Sequence, residues 1–138
     1  MTACLLDAGP MVALFHRGDR FHAHFRRLMM QAPAPLMVQT TWPCVTEASH
    51  LLGPRWRVAL LQWIAAGAVQ VFPFDAEDLP HMCEWITQYT QLPHTEMDLA
   101  DASLYWLASE SGVARIMTVD VRDFSRYRLP DGRPFEIL

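Results

Sequence analysis

Met97–Phe124, MDLADASLYWLASESGVARIMTVDVRDF, reads as a helix, a tight turn, a short apolar strand and a loop, and this reading decides the fold. Asp98 opens the helix and Asp101 follows at i+3, so the two carboxylates share a face. Tyr105 continues that face one turn later. Leu99, Ala102, Trp106 and Leu107 have the spacing of a side turned toward a core. Gly112 suits a left-handed cap that ends the helix. Arg115–Val119 is short, apolar and β-rich, as a central parallel strand should be. Asp120 then falls just past its C-terminal end, the edge at which open parallel sheets bind ligands.

The rest of the chain repeats this alternation. Thr2–Leu6 (TACLL) is an apolar strand ended by Asp7, and Ala8-Gly9-Pro10 leads into a helix through about Phe15, with Pro10 in its first turn. His16–Asp19 is a polar turn, Arg20–Met30 a second helix and Gln31–Pro35 a proline-rich connection. Leu36–Val38 is the second strand. Thr40 or Thr41 caps a helix over Trp42–Leu52 that carries Glu47. Gly53-Pro54 breaks it, and Arg55–Ala66 forms another helix ended by Gly67. Val69–Phe72 is the third strand, and Ala76–Tyr89 a helix whose acidic start matches its dipole. A loop over Gln91–Met97 leads into the stretch already described. Asp131-Gly132 turns the chain into a last edge strand, Phe135–Leu138. Strands alternating with helices predict an α/β fold with a largely parallel sheet of four to five strands.

Composition bounds the function. The 138 residues fit one domain over residues 1–138 with a single core. Hydrophobic residues make up 51% and charged residues 19%, so some apolar surface is expected at interfaces. The net charge of −4 provides no global field for nucleic acid. All eleven basic residues are arginine. Cys4, Cys44 and Cys83 are scattered, which argues for a reducing, cytoplasmic setting and against a zinc ribbon. No apolar run approaches the ~20 residues of a membrane span, and the start of the chain lacks the basic region of a signal peptide.

The acids carry the chemistry. Asp7 follows the first strand, Glu47 lies in the helix after the second, and Asp101 and Asp120 flank the fourth. Carboxylates gathered at one sheet edge repel one another unless a cation joins them. Hard oxygen donors without His or Cys favour Mg²⁺ or Mn²⁺, and such an ion suits phosphoryl chemistry. Asp7 has an alternative role as a helix N-cap. Thr95-Glu96-Met97-Asp98 has a capping-box pattern, which favours capping over metal binding for Asp98. Asp123 suits a cap on a short turn near Phe124, close enough to support the site. Arg122, Arg126 and Arg128 follow Asp120 and are candidates for phosphate contacts, or else form a solvated basic turn; Arg17 and Arg20 are weaker candidates. His22 and His24 point to different helix faces and read as surface or partner contacts. Trp56, Leu60, Trp63 and Ile64 form an apolar stripe with Val58 and Leu61 off it, so a second face of that helix is expected at a dimer or partner groove.

Leu5-Leu6-Asp7, the Thr46-Glu47 helix, Leu99-Ala100-Asp101-Ala102 and Thr118-Val119-Asp120-Val121-Arg122-Asp123-Phe124 resemble the successive motifs of PIN-domain ribonucleases, most nearly the VapC-type toxins of bacterial toxin–antitoxin pairs. The resemblance spans essentially the whole chain in order. It implies a three-layer α/β/α sandwich and Mg²⁺- or Mn²⁺-dependent cleavage of RNA, of tRNA or rRNA type, leaving 5′-phosphates. It implies a homodimer, neutralised by a VapB-type antitoxin in a heterotetramer or larger assembly. By position, Asp7, Glu47, Asp101 and Asp120 would be the catalytic and metal-holding quartet. Asp7 and Asp101 would be the main direct ligands, with Thr118 in support.

Rival readings fare less well. Phosphatases of the haloacid-dehalogenase type and receiver domains use a lysine at the phosphate, and this chain has none. A non-catalytic RNA-binding module would not need the acids. A PIN nuclease of RNA processing without an antitoxin shares every motif.

Overall fold

The computed structural model describes residues 2–30 and 35–138. In chain order it contains β1 (Thr2–Leu6), α1 (Ala8–Phe15), α2 (His22–Met30), β2 (Leu36–Thr41), α3 (Trp42–Ala65), β3 (Gln70–Phe72), a 3₁₀ turn (Ala76–Asp78), α4 (Leu79–Tyr89), α5 (Leu99–Ser111), β4 (Arg115–Met117), α6 (Val121–Arg126) and β5 (Glu136–Ile137). Most of the Gln31–Pro35 connection lies outside the described residues.

The five strands run in the order β3-β2-β1-β4-β5, and every pairing is parallel. β1 is central: Cys4, Leu5 and Leu6 have no exposed surface. It pairs Leu5 with Gln39 on one side and with Ile116 on the other. The chain steps outward through β2 and β3, then returns to the far side of β1 for β4. Right-handed crossovers in opposite directions put the connecting helices on opposite faces. Accordingly α1 packs on α2 and α3, and α4 on α5. The sheet is thus flanked by helices, as the alternation of elements predicts. Its order reverses between β1 and β4, and a crevice opens outside the carboxyl ends of strands at such a point. The Asp7 N–H donates to the Met117 carbonyl at 3.0 Å, which ties the two strand ends together there.

Several boundaries differ from expectation, for local reasons. α2 starts at His22, because Asp19 first closes a turn by accepting the Phe21 N–H at 2.8 Å. β2 runs on to Thr41, three residues beyond Val38: Thr40 and Thr41 are fully buried and their hydroxyls find partners across the sheet. Thr41 holds the N-cap position of α3 but makes no capping hydrogen bond, its hydroxyl being paired with Ser103 instead. The break expected at Gly53-Pro54 is present: Gly53, at φ 77° and ψ 175°, is not helical and divides the Trp42–Ala65 run into two helices. The helix expected from Ala76 opens as a 3₁₀ turn, with a reciprocal cap between Asp75 and Asp78. The last strand is only Glu136–Ile137.

α5 ends as its sequence predicts, on Gly112 in the left-handed region (φ 76°), where a side chain would be strained. Its apolar pattern is less regular than expected. Ala102 and Leu107 are buried, Trp106 is half-buried, and Leu99 is exposed beside the Asp98 cap. On α3, Leu60 is buried, Trp63 and Ile64 pack on the core, and Val58 and Leu61 are exposed on the second apolar face; Trp56, expected in the buried stripe, is exposed with them.

Candidate active site

Each acid reaches the β1–β4 edge for a local reason. Asp7 leaves β1 in extended geometry and caps α1, accepting the Ala8 N–H on Oδ1 at 2.8 Å. Asp98 caps α5 by accepting the Asp101 N–H at 2.8 Å, which fixes Asp101 in the first turn. Asp98 thus caps the helix as expected, but alone and not as part of a capping box: Thr95 sits in an antiparallel bridge with Gln91. The β4 strand stops at Met117, two residues short of Val119. The Thr118 hydroxyl donates to Asp7 Oδ2 at 2.7 Å and accepts the Asp120 N–H at 3.0 Å. Asp120 caps α6, a helix where only a short turn was expected, by accepting the Asp123 N–H at 3.3 Å. Asp123 is therefore the third residue of that helix rather than a cap. Gly9 permits the closeness: a Cβ there would lie 2.5 Å from Val119 Cγ2, so a side chain would push the β4–α6 loop from α1.

One carboxylate oxygen from each of Asp101, Asp120 and Asp123 lies within 4.8 Å of the others. Asp7 and Glu47 stand outside this trio but share its field. The charges of Asp98, Asp7 and Asp120 all push Asp101 up, and the same three push up Glu47. Burial is the larger cause in both. It raises the Asp101 carboxyl to about 8, against a donated Tyr127 hydrogen bond that lowers it. Asp7, almost fully buried, is raised by burial despite the Thr118 and Ala8 hydrogen bonds. Asp120 is raised to about 6 by burial and by sharing a hydrogen bond with the Asp123 carboxyl, against the donated Asp123 N–H, which lowers it. Glu47 is exposed on α3 and faces the acids from the rim.

Sequence reading missed the residues that hold these acids. The Tyr127 hydroxyl donates to Asp101 Oδ2 at 2.7 Å, and its ring is fully buried between Tyr89 and Phe124. Cys44 reaches Asp7 Oδ1 at 3.9 Å, and burial beside Asp7 pushes its thiol well up. Thr41 and Ser103 join α3 to α5 through hydroxyls 2.6 Å apart. Only Tyr127 had a local signal, its spacing of three from the buried Phe124; its reach to Asp101 is long-range. Tyr105, expected on the acid face, turns away and donates its hydroxyl to the Arg128 carbonyl.

The arginines divide. Arg126 donates to Asp123 Oδ1 at 2.9 Å and to the Tyr89 carbonyl, so it partly neutralises the trio. Arg128 is tied to the Ser125 and Tyr127 carbonyls at 2.8 and 2.9 Å. Arg122 is exposed, and among the described residues its side chain makes no internal hydrogen bond. His22 bridges α2 to the Ala13 carbonyl at 2.7 Å and is a helix contact, not a surface group; His24 is exposed near the Leu138 carbonyl.

The donor set fits a hard divalent cation. It is made of carboxylate oxygens, one of them held by a neutral phenol, with a single arginine against three acids. Three carboxylates so close cannot all ionise cheaply without positive charge among them.

The PIN domain family model matches residues 4–129, which takes in every acid just described. No curated protein sequence matches the chain. Among solved structures, the chain is similar to Mycobacterium tuberculosis VapC20, described as a sarcin-ricin loop cleaving toxin. The TM-score is 0.74 and the identity 22%, over 87% of this chain and 92% of that one. That likeness is one of fold; the family match adds sequence to it, over more than nine-tenths of the chain, and this chain belongs to the PIN-domain family.

Proposed function

We propose that the chain is a divalent-cation-dependent endoribonuclease, the toxin of a toxin–antitoxin pair, hydrolysing RNA phosphodiester bonds at the β1–β4 edge. The observation that carries this reading is the trio Asp101, Asp120 and Asp123, drawn together in a PIN-family chain with too little positive charge to balance them. Asp101 and Asp120, with Asp7 and Glu47, form the proposed catalytic and metal-holding set. Asp123 joins the trio from the first turn of α6, and Asp98 serves as a cap. Mg²⁺ or Mn²⁺ bound there would polarise the scissile phosphate and make an attacking water more acidic.

The chain's own groups do the positioning. Thr118 holds the Asp7 carboxylate and, through the Asp120 N–H, the start of α6. Tyr127 fixes one oxygen of Asp101 and leaves the other to face the site. Asp120, which burial brings to about 6 in the metal-free chain, would be held ionised by the bound cation. Arg122 is the exposed cation nearest in sequence to these acids and would bind an RNA phosphate. A VapB-type antitoxin and a homodimer are proposed on the family resemblance. The exposed apolar residues Trp56, Val58 and Leu61 of α3 supply a surface for either.

The test is cleavage of a structured RNA pool with Mg²⁺, with Mn²⁺ and with EDTA, by wild type and Asp101→Asn. The expected result is metal-dependent cutting by wild type, lost in EDTA and in the variant. Cutting that persists in the variant would place the chemistry elsewhere. Folded wild type that cuts nothing would favour an RNA-binding role.

A further inference from the structure

A cleft of about 730 Å³ opens beside the acids, between the start of α3, the segment after β3 and the start of α5. That size lies within the roughly 300–1,000 Å³ of small-molecule sites. Its walls are mainly apolar, with Trp42, Phe74 and Leu99 among them, and Glu47, Asp98 and His50 at its polar side. Glu47, one of the proposed metal-holding acids, and Ala100, the residue before Asp101, line the cleft, so it adjoins the proposed cleavage site. Trp42 is 51% exposed and Leu99 45% exposed. Phe74 is anchored edge-on to Trp106, with ring centroids 5.9 Å apart. Among the described residues, the Trp42 ring stacks on no other aromatic ring. A large exposed indole in a cleft costs apolar hydration that a flat ligand would relieve.

We infer that this cleft is a base subsite: it takes an unpaired nucleobase of the RNA, stacked on Trp42, while the neighbouring phosphate lies over the acids. The inference rests on the nuclease reading and adds to it a place for one base beside the cleaved bond. Charge selects the occupant. Carboxylates at the rim disfavour a phosphate or an acidic peptide in the cleft itself, but they accept hydrogen bonds from the amino groups of adenine, cytosine or guanine. RNA is recognised largely through such splayed bases stacked on aromatic rings. Recognition by the cleft also answers the net charge of −4, which rules out capture of RNA by a general positive field.

The experiment measures binding of an unstructured, 5′-fluorescein-labelled ten-nucleotide oligoribonucleotide by fluorescence anisotropy, in Mg²⁺ and with Asp101→Asn protein so that no cutting intervenes. Trp42→Ala and Trp42→Phe are compared in that background, and their KM and kcat on the RNA pool in the wild-type background. Thermal melts confirm that both variants fold. The expected result is binding weakened about tenfold or more in Trp42→Ala, partly restored in Trp42→Phe, with a rise in KM much larger than the fall in kcat. An oligonucleotide with abasic sites at every position should bind as weakly to wild type as the normal one does to Trp42→Ala. Unchanged RNA binding and KM in Trp42→Ala would overturn the subsite, as would an effect confined to the affinity for a protein partner. Failure of the nuclease reading itself looks different: wild type would cut no RNA with any metal, whatever Trp42 does to binding.

Discussion

Two groups of carboxylates on this chain meet opposite fates. Near the C-terminus, Asp131 and Glu136 each face an arginine: Arg133 at 2.7 Å and Arg115 at 3.1 Å, both pairs well exposed. The Asp131 carboxyl is held below its usual range by hydrogen bonds from the Arg133 backbone and side chain. At the β1–β4 edge, Asp7, Asp101 and Asp120 are buried or half-buried, crowd one another and are all pushed up. The chain has eleven arginines and spends one, Arg126, on that edge. A fold that only needed acids for solubility would treat both groups alike. Leaving one group unneutralised is a standing cost in stability, which the proposed cation would remove.

That contrast can be broken most sharply at Asp101. Asp101→Asn should reduce metal-dependent cleavage by at least about a hundredfold, more than is usual for partners one step removed from a metal. A single-turnover assay on the cleaved RNA checks this.

The same contrast predicts an unusual pH dependence. Asp101 in the folded chain keeps its proton up to about pH 8, whereas in the unfolded chain it loses it near 4. Asp120 behaves likewise up to about pH 6. Between these values the folded state binds more protons, so stability falls as pH rises. The extra stability is complete below about pH 4 and gone above about pH 8. Metal-free protein should therefore melt several degrees lower at pH 8 than at pH 5, and Mg²⁺ or Asp101→Asn should recover most of the difference. Calorimetry in EDTA at both pH values measures it.

Tyr127→Phe sharpens the comparison by removing a hydrogen bond and no charge. Metal affinity or cleavage should fall roughly 10- to 100-fold, and stability by about 1 kcal/mol, because the buried Asp101 oxygen loses its partner. The smallest effect belongs to the other group. Arg133→Ala should leave cleavage unchanged and shift the melting temperature within experimental error, since its pair with Asp131 is exposed.

The fold was largely readable because its signals are local. The TACLL and RIM strands, Pro10 in a first turn and Gly112 at a helix end each announce themselves within a few residues. That Asp7 and Asp120 each end a parallel strand is legible in the sequence; that β1 lies beside β4, which brings the two together, is not. What escaped was whatever depends on distant partners. Tyr127 reaches Asp101 across 26 residues, and Thr41 reaches Ser103 across 62. No periodicity encodes either. Asp123 was read as a turn cap because α6 is only six residues long and its cap, Asp120, was already assigned to chemistry. Tyr105 was misplaced for the opposite reason: its spacing from Asp101 was right, but the aromatic cluster with Trp85 and Tyr89 draws it away.

The central claim is that the edge acids are kept unneutralised for a cation. It is tested most directly by titrating metal-free wild type and Asp101→Asn with Mn²⁺, reading bound ion by the loss of free-ion paramagnetic resonance. The account predicts saturable binding by wild type that strengthens from pH 5 to pH 8 as the carboxyls lose their protons, and binding at least tenfold weaker in the variant. Mn²⁺ binding that is absent in folded wild type, or equal in the two proteins, would contradict it.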